Sequence, residues 1–386
     1  MTRPIFVFCH GLNGYGEYDE QYERDPYWGG ASGDIVAEWR SRGMEAFAAS
    51  VSPQGSAWDR ACELYAQIAG RRTDYGAGHS AQNGHERYGR DFTGCPLIPA
   101  WDDDTRLYLI GHSFGGATIR LMSELLANGS AEEREATPAD ELSPLFAGGM
   151  ADRIAAIVTL AAPTNGTTAY DLTRDPLFDT SRVRTPLKYR LLDRVLKHHT
   201  RIHMDDRDQR DWASYDMLVD NAQALNERIA TLPHVYYLSV ACDATIPGEG
   251  GSRVPDLALM DPLFVRTATL MGSYSGVTAA GCVIDEGWHA NDGLVNTISA
   301  RAPFGAPRSR STGGMWRRAS GTSCPTCMSI TPSSRATTSR RAIRISSSWI
   351  FWACCNRSRE CGPQDNRNAY VAAIVSHRLG TITLGL

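Results

Sequence analysis

No stretch of this 386-residue chain approaches the ~20 consecutive apolar residues that a membrane-crossing helix needs. The amino terminus also lacks the charged, then apolar, then small-residue order of a secretory leader, because Ile5-Phe6-Val7-Phe8 is too short and runs straight into His10-Gly11. As written, the chain is expected to carry no export address. Internal repeats are missing, and the ten cysteines form no spaced framework. Cys9, Cys62, Cys95, Cys242 and Cys282 are scattered, and the first two fall in apolar patterns that suit buried free thiols. Lysine is absent from residues 301–386, which hold thirteen arginines and only Glu360 and Asp365 as acids, although the whole chain has a net charge of −4. The other five cysteines, Cys324, Cys327, Cys354, Cys355 and Cys361, lie in this tail among serines and threonines with no helical or strand periodicity. The 42% hydrophobic content is enough for a large core, as one α/β domain with insertions or as two domains.

What the first 300 residues do have is alternation. Short apolar runs at Ile5 to Phe8, Phe47 to Val51, Leu107 to Ile110, Ile154 to Leu160 and Val235 to Val240 read as strands. Helical patterns at Gly33 to Arg40, with Ser32 as its cap, at Trp58 to Ala69 and at Ala222 to Ile229 lie between them. Buried strands alternating with helices predict a mostly parallel sheet covered on both faces.

One turn carries chemistry. Leu107-Tyr108-Leu109-Ile110 ends in Gly111-His112-Ser113-Phe114-Gly115, and a helical pattern begins at once with Ala117, Ile119, Leu121, Met122, Leu125 and Leu126. In the Gly-x-Ser-x-Gly turn the serine occupies a strained backbone position, and a side chain two residues to either side would strike the strand or the helix. Ser113 is the candidate nucleophile. Attack on an ester carbonyl also needs a base, an acid to orient the base, and amide donors where the oxyanion forms. His10-Gly11-Leu12 follows the first strand, so the backbone N–H groups of Leu12 and Phe114 are the candidate donors. The acid belongs on a loop after a late strand. Asn291-Asp292-Gly293 has that form, with Asp285, Glu286, Asp261 and Asp256 as competitors.

These motifs resemble the thermoalkalophilic bacterial lipases of the Bacillus and Geobacillus type. The residues that carry the likeness are His10-Gly11-Leu12-Asn13-Gly14, Tyr27-Trp28-Gly29-Gly30, Trp58-Asp59-Arg60-Ala61-Cys62-Glu63, Asp74-Tyr75-Gly76-Ala77, Gly84-His85 and Arg87-Tyr88-Gly89-Arg90. The serine turn, Leu142-Ser143-Pro144-Leu145-Phe146, Gly166-Thr167-Thr168 and Asn291-Asp292-Gly293 continue it, so that it covers nearly everything from Pro4 to Thr297. The resemblance implies an α/β-hydrolase fold over residues 1–300, with an insert at about 59–92 and a helical lid at about 185–202. It implies Ser113 as nucleophile, Asp292 as triad acid, and a zinc site formed by Asp59, His79, His85 and Asp216. Two imidazoles and two carboxylates close a tetrahedron, which suits a structural rather than a hydrolytic metal. Only Gly272 matches a position of the family's calcium site. The implied substrate is an acylglycerol, met at a lipid interface through the lid. An esterase for short soluble esters and an inactive zinc-stabilised hydrolase fold serving as a binding module are the alternatives. Members of the family are usually secreted, which the amino terminus does not reflect.

The base is missing from this pattern. Beyond Asp292 the only histidine is His377, in a segment unlike the family, and His289 precedes the acid on the same loop. The likeness ends where the arginine, serine and cysteine bias begins, and bias of that kind arises when GC-rich coding sequence is read out of frame. Joining the third base of each codon to the first two of the next tests this. Trp349-Ile350 must then give Asp, Phe351-Trp352 must give Leu, Trp352-Ala353 must give Gly, and Cys354-Cys355 must give Leu. Upstream, Cys327-Met328 yields only His or Tyr, and Met328-Ser329 only Glu or Val. Residues 301–386 are therefore expected to be a frameshift product, with the catalytic histidine encoded near Cys327 to Thr331 but not expressed. On that reading the basic tail signals no nucleic-acid partner, and Cys324-Pro325-Thr326-Cys327 no zinc or redox pair.

Overall fold

The computed structural model describes residues 2–29, 33–172, 187–188, 209–306, 316–317 and 323–324. Five strands form one parallel sheet: β1 (Arg3–Cys9), β2 (Glu45–Ala49), β3 (Thr105–His112), β4 (Ile154–Leu160) and β5 (Tyr236–Val240), in the order β2-β1-β3-β4-β5. Period-two alternation sends the side chains of β1 to two cores. Ile5, Val7 and Cys9 pack on the face covered by α2 (Ala57–Ala69) and α3 (Gly115–Asn128), while Phe6 and Phe8 pack with Trp28, Val36 and Trp39 around α1 (Ile35–Ser41). The parallel sheet covered on both faces that the alternation predicts is the architecture observed, in keeping with the α/β-hydrolase fold that the resemblance implies.

The order places the site. The chain runs from β1 outward to β2, then crosses back to β3 on the other side of β1, so the order of the strands reverses between β1 and β3. In open parallel sheets the crevice at the carboxyl ends of such a strand pair is where ligands bind. Cys9 pairs with Gly111 at that edge, which brings the His10-Gly11-Leu12 turn against the Gly111–Gly115 turn.

Element limits differ from the sequence expectations in physically simple ways. Helix α1 starts at Ile35 and is capped by Asp34, whose carboxylate accepts from the amides of Val36 and Ala37, so Ser32 is not its cap. Ser56 caps α2 through the Asp59 amide. Helix α4 (Val219–Glu227) starts before the expected Ala222. The insert consists of α2, the strands Arg72–Asp74 and Tyr88–Asp91 paired antiparallel, and a short helix at Ala77–Asn83. The expected lid at 185–202 lies outside the described residues apart from Leu187 and Lys188, and the tail lies outside them beyond Ala306 apart from two dipeptide strands. Among the described residues no helix is long and apolar enough to cross a membrane.

Candidate active site and metal cluster

Ser113 stands at φ +52°, in the left-handed region that costs a non-glycine residue strain of order 1–3 kcal/mol. The surroundings impose this conformation. Its amide donates to the Leu160 carbonyl at 2.8 Å, tying the turn to β4. A Cβ on Gly115 would lie 2.3 Å from the Cys9 carbonyl oxygen and 2.6 Å from that of His10, and one on Gly11 would lie 2.8 Å from Ser113 Cβ. The two turns therefore meet as bare backbone, and only glycine fits there. Among the described residues no hydrogen bond takes up the amide N–H of Leu12 or of Phe114. Leu12, His112 and Ser113 line a cleft of about 460 Å³ with Tyr15, Tyr27, Tyr170, Met217, Phe264, Leu294 and Val295.

Asp292 lies on the loop bridged by Asn291 and Asn296, close to this cleft in sequence through Leu294 and Val295. Its Oδ1 accepts from the amides of Leu294 at 3.0 Å and Val295 at 2.8 Å. Burial pushes its carboxyl up to about 6, against the opposing effect of those amides, and the nearby Asp243 adds to the rise. The competing acids make local turns: Asp256, Asp261 and Asp285 each accept an amide two residues ahead. Glu286 is exposed.

A second cluster forms at the insert. Asp59, His79, His85 and Asp211 bring one ligand atom each to within 4.8 Å of one another. His79 Nε2 is 3.1 Å from Asp59 Oδ1 and 3.2 Å from Asp211 Oδ1, and His85 Nε2 is 3.3 Å from Asp211 Oδ2. His85 Nδ1 faces the Glu86 carbonyl at 2.9 Å, so that Nε2 is the atom left to the cluster. His85 Nε2 and both carboxylate oxygens of Asp211 are buried without a hydrogen-bond partner, as a cation-binding set would be. The His79 ring stacks on Trp58 at 5.1 Å, and Glu133 accepts from the amides of Gly78 and His79, fixing the helix that carries it.

The fourth member is Asp211 and not the expected Asp216. Asp216 turns its Oδ2 to the Ala57 amide at 2.7 Å, at the start of α2, where helix N–H groups need an acceptor. The bridge between Gly55 and Trp212 fixes the neighbouring backbone and sets Asp211 beside Asp59. Gly272 is explained by packing, since a Cβ there would lie 2.1 Å from the Arg253 carbonyl oxygen. Among the described residues no further group of three or more His, Cys, Asp or Glu gathers as the cluster does.

Residues 2–185 match the family model described as the lipase-like C-terminal domain. Lipase 1 of Staphylococcus aureus (strain MRSA252) is 35% identical over 341 residues, which cover 81% of this chain and 48% of the relative. The chain thus spans about half the length of the curated relatives it matches. Among solved structures, EstA from Clostridium botulinum is 31% identical with a TM-score of 0.70, covering 82% of this chain and 79% of its own. Lipase 1 from Pelosinus fermentans is 30% identical with a TM-score of 0.65, covering 83% and 89%. The chain belongs to this bacterial lipase family. The resemblance read from its motifs is thereby borne out, and so is the hydrolase fold.

The described histidines of this family member are engaged elsewhere. His10 is buried between Gly11 and Val51, and His79 and His85 belong to the cluster. His234 faces the Ala151 carbonyl, and His112 is joined through Nδ1 to the Tyr27 hydroxyl at 2.6 Å. His289 is enclosed by Gly251 on one ring nitrogen and by Tyr274 and Ser275 on the other. His377 lies outside the described residues. Sequence reasoning missed Asp211, and it missed Glu133 and Tyr27 as supports. The Trp58-Asp59-Arg60 run was the available signal for the cluster that Asp211 completes, since it carries Asp59.

Proposed function

We propose that the chain is a carboxylic ester hydrolase of the triacylglycerol lipase type, working through an acyl-enzyme on Ser113. One observation carries this reading: a serine held in a left-handed turn between two unengaged amides, Leu12 and Phe114, at an apolar cleft. Ser113 Oγ bonds to the ester carbonyl carbon, its proton passes to a base, and the two amides hold the oxyanion. Collapse expels the alcohol, and water then releases the acid by the same steps. Asp292 is the residue to orient the base, and the upward push that burial gives its carboxyl fits a group that lacks an imidazolium partner.

The base itself is proposed to be the histidine hidden in the other reading frame near Cys327 to Thr331. Without it the serine keeps the weak nucleophilicity of an alcohol, and this chain retains about 10³-fold over water from the oxyanion site and binding. That same lack favours a second reading, a catalytically impaired hydrolase fold that binds zinc. Asp59, His79, His85 and Asp211 would hold the zinc, whose charge would neutralise the two carboxylates and fasten the insert to α2. The acylglycerol preference, the lid contact with lipid and any calcium site near Gly272 belong to the same proposal, with short soluble esters as the competing substrate class.

The test compares hydrolysis of short and long nitrophenyl esters by this chain and by one whose tail is read in the other frame. Activity rising by several orders of magnitude in the second, with Ser113 labelled by an organophosphonate, is expected. An unlabelled Ser113 in the restored protein overturns the serine mechanism.

A further inference from the structure

We propose that His10 is a positioning residue for the oxyanion site, fixing the peptide plane whose N–H is the Leu12 donor. The inference rests on the hydrolase reading above and concerns a residue that touches no substrate, since His10 is fully buried and absent from the lining of the cleft.

The geometry is one of opposite ends. His10 Nδ1 lies 2.8 Å from the Gly11 carbonyl oxygen, and that carbonyl belongs to the same peptide unit as the Leu12 N–H. A trans peptide is planar, so holding its C=O in one direction holds its N–H in the other. The proton assignment on the ring follows from its second contact. The Val51 amide donates to Nε2 at 3.2 Å, which makes Nε2 the acceptor and leaves the proton on Nδ1, facing Gly11. Burial, with the Arg60 guanidinium nearby, pushes the imidazole down to about 3, so this neutral tautomer persists across the working pH range.

The ring cannot swing away. A Cβ on Gly14 would lie 2.5 Å from His10 Nδ1, so the backbone of Gly14 already packs on the imidazole. Arg60, itself fully buried, donates to the His10 carbonyl, to the Ser52 carbonyl and to Thr118 Oγ1, and its guanidinium lies over the Phe114 ring. On the other side of Gly11, its amide donates to the Tyr27 hydroxyl at 3.0 Å, and that hydroxyl is hydrogen-bonded to His112 Nδ1. Both peptide units flanking Gly11 are held, and a donor aimed in advance stabilises an oxyanion without reorganising during the reaction. Gly14 also donates to the Gly11 carbonyl, at a longer 3.3 Å, so His10 supplies the shorter of two restraints.

Two near-isosteric variants separate positioning from mere structural support. His10→Asn keeps a donor at the place of Nδ1 and loses the Val51 contact, whereas His10→Gln keeps an acceptor at the place of Nε2 and loses the donor. In the full chain, with p-nitrophenyl butyrate, His10→Gln is expected to lower kcat about tenfold with KM unchanged, below the ~10²-fold or greater loss of deleting a donor outright. His10→Asn is expected to stay near the wild-type kcat. Equal losses in both variants, or full activity in His10→Gln, would overturn the inference. Where the missing base leaves the wild-type chain without measurable turnover, a second arm decides the matter without it. With 13C′-glycine and 15N-leucine labelling, only Gly11-Leu12, Gly293-Leu294 and Gly385-Leu386 give carbonyl–amide NMR correlations. The Gly11-Leu12 peak should move in His10→Gln and hold in His10→Asn while the other two stay fixed. A Gly11-Leu12 peak that holds in His10→Gln overturns the positioning role.

Discussion

Asp292→Asn should make the protein more stable at neutral pH. The wild-type carboxyl ionises at about 6 in the fold and near 3.8 as an ordinary aspartate. Between those values the folded state binds the proton that the unfolded state has released, so stability falls as pH rises through this window and reaches its full deficit above pH 6. Roughly two decades of proton affinity at 1.36 kcal/mol each give a deficit of about 3 kcal/mol at pH 7.5. Asparagine keeps an Oδ1 for the amides of Leu294 and Val295 and never carries the charge, so it escapes the deficit. Urea denaturation of both proteins at pH 4 and pH 7.5 measures the effect. The variant should lead at pH 7.5, and the lead should close towards pH 4, where both side chains are neutral. In the frame-restored protein the same substitution should lower kcat by orders of magnitude, because an amide cannot hold the imidazolium. A variant less stable at pH 7.5, or a gap that widens on acidification, would refute the burial argument, since it would mean that the fold favours the charge.

The other expectations are more direct. Asp211→Asn should abolish stoichiometric zinc, read by elemental analysis after dialysis, while Asp216→Asn should retain it, and chelation should lower Tm in the wild type but not in the Asp211 variant. Arg60→Met leaves the His10 and Ser52 carbonyls without a buried donor and should cost about 3 kcal/mol in urea unfolding. Gly115→Ala drives a methyl group against the carbonyls of Cys9 and His10 and should lose about 3 kcal/mol or fail to accumulate as soluble protein, whereas an alanine at Gly94, where nothing lies within 4 Å, should remain soluble.

The sheet and the serine turn were legible because local signals coincide there. Apolar runs of strand length marked all five strands, with Ile154 to Leu160 matching to the residue, and the paired glycines marked a turn where backbone must meet backbone. The edge of α1 was misread because Ser32 and Asp34 are both good caps, and only the direction of the chain after Gly33 decides between them. Asp211 and Asp216 presented the same difficulty over a longer range. Both acids lie in one short stretch, and which one reaches His79 depends on the Gly55 to Trp212 bridge, a pairing of residues more than 150 apart. Sequence spacing carries no record of such a contact.

The adjacency of Asp59 and Arg60 shows how much chemistry a short run can hold without displaying it. Neighbouring residues on a helix point about 100° apart. On α2 this sends Asp59 to the cluster with His79 and His85, and Arg60 to the carbonyl of His10 beside the serine turn. One turn further, Glu63 accepts from the Ser52 amide and the Tyr75 hydroxyl, so it joins the insert to the loop that Arg60 also holds. A helix with buried charged groups on several faces is costly for a fold unless each group is matched. Here the matches lie on the insert, on the loop after β2 and on the oxyanion turn, so this one helix braces both sites.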